Sequence, residues 1–213
     1  MMPVRGALAL AICLTLSACS APAPTPTVEP PVNAWPAESA IALEPGRYSS
    51  SPPFDVPFTI DISGDGWGSA HLHGEFFDFM NVTEFAVQPT RWVAFAHPTT
   101  IGGFDGPAGA GLAPRAAAEH IAALPNIVAG PIAEIELLGL SAVQMDVTAS
   151  VTDTKLFGGP DGQFGLDRSM ALRLTLLPHE VDDDLLLVLV LAPPAELDAA
   201  WAEVEPILET IRL

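Results

Sequence analysis

Residues 185–192 read LLLVLVLA, eight consecutive apolar residues of which seven are Leu or Val. A bilayer span needs about 20 such residues, and an amphipathic helix would interrupt the run with polar positions. As an extended strand the segment is apolar on both faces, which suits the centre of a sheet. Any fold for this chain has to bury it there.

The neighbouring pattern has period two. Val56, Phe58, Ile60 and Ile62 alternate with Pro57, Thr59, Asp61 and Ser63; Val143, Met145, Val147, Ala149 and Val151 alternate with Gln144, Asp146, Thr148 and Ser150. Met170, Leu172, Leu174 and Leu176 alternate with Ala171, Arg173, Thr175 and Leu177. Each stretch predicts a strand with one dry and one wetter face, as an antiparallel sheet covered on one side requires. Glu134-Ile135-Glu136-Leu137, followed by Leu138-Gly139-Leu140, predicts a hairpin leading into the 143–151 strand. Shorter strands are expected near 69–73, 76–80, 84–88 and 91–96. Residues 178–184 read as the turn into the central strand, with Asp182, Asp183 and Asp184 as a solvated charge run and a carboxylate metal site as the alternative.

Two helices interrupt the strands. Pro114 suits a first helical position, and Ala117, Ile121 and Leu124 share a face before Pro125. Near the C-terminus Leu197, Trp201, Val204, Leu208 and Ile211 form one apolar stripe, with Pro206 expected to bend the helix. That stripe makes Trp201 a core residue rather than a ligand platform. The expected fold is a single α+β domain over residues 40–213, mainly an antiparallel sheet with a mid-chain helix and a C-terminal helix packed on it.

The N-terminus reads as an address. Arg5 precedes an apolar stretch at 7–16 (ALALAICLTL), of secretory-signal length, which runs into Leu16-Ser17-Ala18-Cys19. This resembles the lipobox of bacterial lipoproteins. The resemblance implies cleavage between Ala18 and Cys19, so that 1–18 is a signal peptide and Cys19 the acylated N-terminus. Acyl chains, at about 0.8 kcal/mol per buried CH₂, would anchor the chain to a membrane against its own net charge of −18. Cys13 would leave with the signal, so the exported body would hold no free thiol or disulfide. Residues 19–39, dense in Pro and small residues, read as a lipidated Cys and an extended tether, with Trp35 as a contact point. With 26 acidic against 8 basic residues, the chain lacks the basic face that nucleic-acid binding requires.

The body carries Leu-x-Pro-Gly-x-Tyr at 43–48, Gly-x-Gly-Trp at 64–67, Leu-Gly-Leu at 138–140 and a terminal Ile-Leu-Glu-Thr-Ile-Arg-Leu. In these it resembles small exported bacterial lipoprotein domains, and its layout is similar to the PsbP-like extrinsic photosystem subunits. The resemblance implies an α/β/α sandwich and carries no catalytic residue across.

Motifs for chemistry are few. There is no Gly-x-Ser-x-Gly elbow, no phosphate loop and no His-Glu-x-x-His, and no motif calls for a cofactor. His73-Gly74-Glu75 lacks the paired Cys of zinc deaminases. His71 and His73, two apart on a strand, are the candidate metal ligands, with Asp61, Asp65 or Asp78 to complete the shell; the alternative is two solvated histidines. The Gly-rich stretches 99–113 and 158–167 read as long loops flanking a protein or small-molecule ligand site, the second anchored by Phe157 and Phe164. The expected function is therefore a non-enzymatic binding or envelope accessory domain on the extracytoplasmic side of a membrane. A metal carrier or sensor and an enzyme are the alternatives.

Overall fold

The computed structural model describes residues 31–36, 41–50, 54, 56–73, 76–81, 91–103, 111–159, 162–179 and 184–213, with backbone only at 70–73, 76–81 and 184. The LLLVLVLA segment lies in a central strand, β14 (Asp184–Ala192). It pairs antiparallel with β13 (Ala171–His179) on one side and β6 (Trp92–Ala96) on the other, so that Leu189 stands between Leu174 and Ala94. Outward from β6 come β5 (Phe76–Asn81) and β4 (Trp67–His73). Outward from β13 comes β10 (Leu140–Ala149), whose far side is shared by β8 (Ile127–Ala129) near one end and β9 (Ala133–Leu137) near the other. These eight strands form the main antiparallel sheet among the described residues.

The molecule is α+β, with helix α1 (Pro114–Ala122) in mid-chain and helix α2 (Leu197–Leu208) near the C-terminus. The sheet is covered on both faces, not on one. Leu185, Leu187, Leu189 and Leu191 join Ala117, Ala118 and Ile121 of α1 in one core. Leu186, Val188, Val190 and Ala192 join Leu197, Ala200, Val204 and Leu208 of α2 in a second. One-sided alternation survives farther out, on β10, where Val143, Met145 and Val147 are buried while Gln144, Asp146 and Thr148 are half-buried.

A small sheet extends each layer. β1 (Val32–Ala34), β2 (Gly46–Ser49) and β3 (Thr59–Ile62) add Tyr48, Ile60 and Ile62 to the α2 core. Val32–Ala34 falls within the expected tether, yet it pairs in parallel with β2, and Trp35 is buried edge-on against Tyr48 at 5.5 Å. The side chains of β1 are all exposed, so backbone pairing rather than apolar periodicity holds it. On the other face, β7 (Thr100–Ile101), β11 (Thr154–Gly159) and β12 (Gly162–Leu166) cover the α1 core. Residues 158–167, expected as a long loop, are therefore largely a hairpin strand. Phe157 and Phe164 pair across it with rings stacked at 4.8 Å, both buried. Glycine hid the alternation there, because four of the strand positions carry no side chain to pattern.

Arg173 ties α2 to the sheet. Its guanidinium donates twice to Asp146 on β10 and once to Asp198 in the first turn of α2, each at 2.8 Å, and lies 5.7 Å over the Trp201 ring. Trp201 is thus half-buried at the core's margin. Across β2 and β3, Arg47 grips Asp61 through Nε at 2.6 Å and Nη2 at 3.0 Å. These hydrogen bonds from Arg47 hold the Asp61 carboxyl below the usual aspartate value. A carboxyl depressed by folding stabilises the native state above its unfolded pKa and loses that contribution as pH falls through the folded one. With side chains 23% and 37% exposed, the pair contributes less than about 1 kcal/mol.

Two outcomes follow from this architecture. Leu189→Ala, at a fully buried position, should cost about 2–5 kcal/mol in urea unfolding, while Val128→Ala, at a position 63% exposed, should stay within about 0.5 kcal/mol of the parent. The stability gap between the parent and Asp61→Asn should be present at neutral pH and close in acid as Asp61 protonates; a gap constant with pH would mean that the Arg47 pairing contributes nothing.

Candidate binding groove

Several elements end at one place, beside the α2 core. The hairpin β9–β10 turns through Leu138 and Gly139, between the paired Leu137 and Leu140. Both turn residues have positive φ, 57° and 73°, which defines a type I′ turn. Asn-Gly is the favoured pair for that turn, and a left-handed backbone costs a branched residue such as Leu about 1–2 kcal/mol. Leu138 is half-buried against the α2 core, which offsets that strain.

Opposite the hairpin, the chain leaves α2 and adds to the edge of β3. Thr59 and Arg212 exchange two backbone hydrogen bonds of 3.0 Å, and Thr210 Oγ1 accepts from the Asp61 N–H at 2.8 Å while donating to the Ile207 carbonyl at 2.7 Å. This fixes Ile211, Arg212 and Leu213 as a second wall. The end of β13, Pro178 and His179, closes the back, and Glu205 and Glu209 project from the last turns of α2.

The groove, open to solvent along one side, has a volume of about 930 Å³, near the upper end of the range for small-ligand pockets. Leu138, Leu140 and Leu213 present its apolar surface, above the buried Leu137 and Ile211. Glu136, Glu205 and Glu209 stand exposed at its rim. Arg212 also lines it, but its Nη1 donates to the carbonyls of Glu209 at 3.0 Å and Ile211 at 2.8 Å. Glu205 accepts from the Trp201 indole at 3.2 Å, which couples a fluorophore to the rim. Among the described residues no hydroxyl or thiol side chain lines the groove.

Ala18 and Cys19 lie outside the described residues, as do Asp182 and Asp183. His71 and His73 fall in β4, described by backbone alone; the β4–β5 pairing shifts register between Ser69 and Leu72, so the ladder is irregular at His71. Asp61, named as a completing ligand, is engaged by Arg47. Among the described residues no group of three His, Cys, Asp or Glu side chains is placed to hold a metal ion. The two Gly-rich stretches do meet, through Thr100 opposite Gly158 and Ile101 opposite Phe157, but residues 104–110, 160 and 161 lie outside the description.

Sequence reasoning passed over His97 and His179, whose rings lie 5.7 Å apart. They follow β6 and end β13, the two strands flanking β14, and only the strand order reveals that they are neighbours. His179 lines the groove, and its Nδ1 is buried without a hydrogen-bond partner among the described residues.

No protein-family model matches the chain, and no curated protein does. Among solved structures it matches LpqN, described as involved in cell envelope biogenesis of Mycobacterium tuberculosis. That match covers 78% of this chain and 88% of the other, at 12% identity and a TM-score of 0.39. A likeness so distant transfers nothing to this chain, and the groove has to be read from its own geometry.

Leu138→Asn tests whether the groove holds this turn residue for a purpose other than folding. The favourable turn residue and the lost apolar contact should nearly cancel, leaving stability within about 1 kcal/mol of the parent in urea unfolding. A loss beyond about 2 kcal/mol would make Leu138 simply a core residue.

Proposed function

We propose that the chain is a lipid-anchored extracytoplasmic binding module, an envelope accessory rather than an enzyme, and that its ligand occupies the groove between the β9–β10 turn and the end of α2. The observation that supports binding is Leu138. An aliphatic side chain stands where the turn favours Asn, and it lines a concavity of about 930 Å³. Backbone strain of this kind concentrates at sites of function. The groove's polar groups are rim carboxylates, one imidazole and one guanidinium, a set able to orient a charged ligand.

The anchor reading rests on Leu16-Ser17-Ala18-Cys19 and on the charge of −18, which opposes binding to anionic lipid by electrostatics alone. Among the described residues no helix is long and apolar enough to cross a membrane.

One set of measurements tests both parts. The full chain expressed in its native host should yield a mature form that begins at an acylated Cys19 and sediments with membranes, and Cys19→Ser should move it to the soluble fraction. Extracts of the native envelope should raise the Tm of the parent and perturb the Trp201 emission, and they should do neither to Leu138→Asn. An unprocessed cytosolic protein would overturn the anchor, and equal stabilisation of both forms would overturn the groove.

A further inference from the structure

The groove's charge identifies what it takes. The chain has only 8 Lys and Arg residues, and most of the described ones already face carboxylates elsewhere. Arg47 holds Asp61, Arg91 holds Glu203 at 2.6 Å, Arg115 holds Glu134 at 3.0 Å, Lys155 holds Asp153, and Arg173 holds Asp146 and Asp198. Glu136, Glu205 and Glu209 have no cationic side chain in hydrogen-bond range among the described residues, although Arg212 lies on the same groove. That guanidinium donates to main-chain carbonyls at the end of α2 instead. Glu205 and Glu209 stand at the C-terminal end of α2, the negative pole of its dipole.

We propose, building on the groove as the binding site, that its occupant is a basic amphipathic peptide segment of a partner protein. Its apolar side chains lie on Leu138, Leu140 and Leu213, over the buried Leu137 and Ile211, and its Lys or Arg side chains reach Glu136, Glu205 and Glu209. An anionic amphiphile, such as a fatty acid or an acidic phospholipid, would place its head among three carboxylates and is disfavoured by the same field. A second depression over Glu134, Ile135, Glu136 and Ser141 continues the rim along β9, where Glu134 is already held by Arg115 and Glu136 is the carboxylate left to a ligand.

The test uses the full chain and three short synthetic peptides of one length: alternating Leu and Lys, alternating Ser and Lys, and alternating Leu and Ser. The Leu–Lys peptide should bind at least about tenfold more tightly than either of the others, and more weakly as salt rises. Combining Glu136→Gln, Glu205→Gln and Glu209→Gln should weaken it by about tenfold, the sum expected for three rim ion pairs. Combining Glu44→Gln, Glu119→Gln and Glu196→Gln, the same charge change at exposed positions elsewhere, should leave its affinity unchanged.

Equal binding of the Ser–Lys and Leu–Lys peptides, or equal effects of the two triple variants, would reduce the attraction to the net charge of the chain and overturn the inference. Leu–Ser binding as tight as Leu–Lys, with both lost in Leu138→Asn, would overturn it while leaving the groove as the site. If no peptide binds and the native extract also leaves the Tm unmoved, the binding reading itself falls.

Discussion

Burial of β14 on both faces is the constraint from which the rest of the architecture follows. Every residue from Leu185 to Ala192 is at most 4% exposed, and the strand splits its side chains between two cores. A sheet dry on both sides at its centre needs a layer on each face. One helix of nine residues and one of twelve are too short to cover eight strands, so each layer is completed by a three-stranded sheet. The small sheets are thus a geometric consequence of pairing so apolar a strand on both sides.

That same layering creates the groove. Helix α2 stops at Leu208, before the α2-side layer reaches the end of the sheet, and the chain then turns to pair with β3. Beyond the helix end, the β9–β10 turn and the end of β13 project with nothing packed over them among the described residues. Leu138 fills part of that space at the cost of an unfavourable backbone. The glutamates of the last helical turns and Glu136 of the hairpin supply the rim. The groove is therefore a gap in one layer, bounded by strand and helix ends, where side chains vary without disturbing either core.

Legibility in the sequence tracked how strongly side-chain pattern, as opposed to pairing, determined each element. Period two fixed β10 and β13 to within a few residues, and the unbroken run fixed β14 as central. The stripe Leu197, Val204 and Leu208 placed α2, and Pro114 opened α1 as expected. Elements held by backbone pairing escaped: β1 buries none of its three side chains, and β11 and β12 are rich in glycine. The site was less legible still. Leu138 was read as part of a turn, but its left-handed backbone is a property of the folded hairpin. Glu136 lies some 70 residues before Glu205 and Glu209, and the three become a rim only when β9 and α2 flank the same core.

Scarcity of cations then links electrostatics to architecture. Arg47 joins β2 to β3, Arg91 joins the start of β6 to α2, Arg115 joins α1 to β9, and Arg173 joins β10 and β13 to α2. Four of the few basic side chains therefore sit at joints between elements, where a charge-assisted bond fixes relative position. Glu136, Glu205 and Glu209 lie away from those joints and face no cationic side chain in hydrogen-bond range among the described residues. They stand exposed beside apolar side chains of the groove and the C-terminal end of α2. The negative charge at the rim is thus what remains once the joints have taken their arginines and Arg212 has turned to main-chain carbonyls, and under the proposed reading a cationic partner neutralises it.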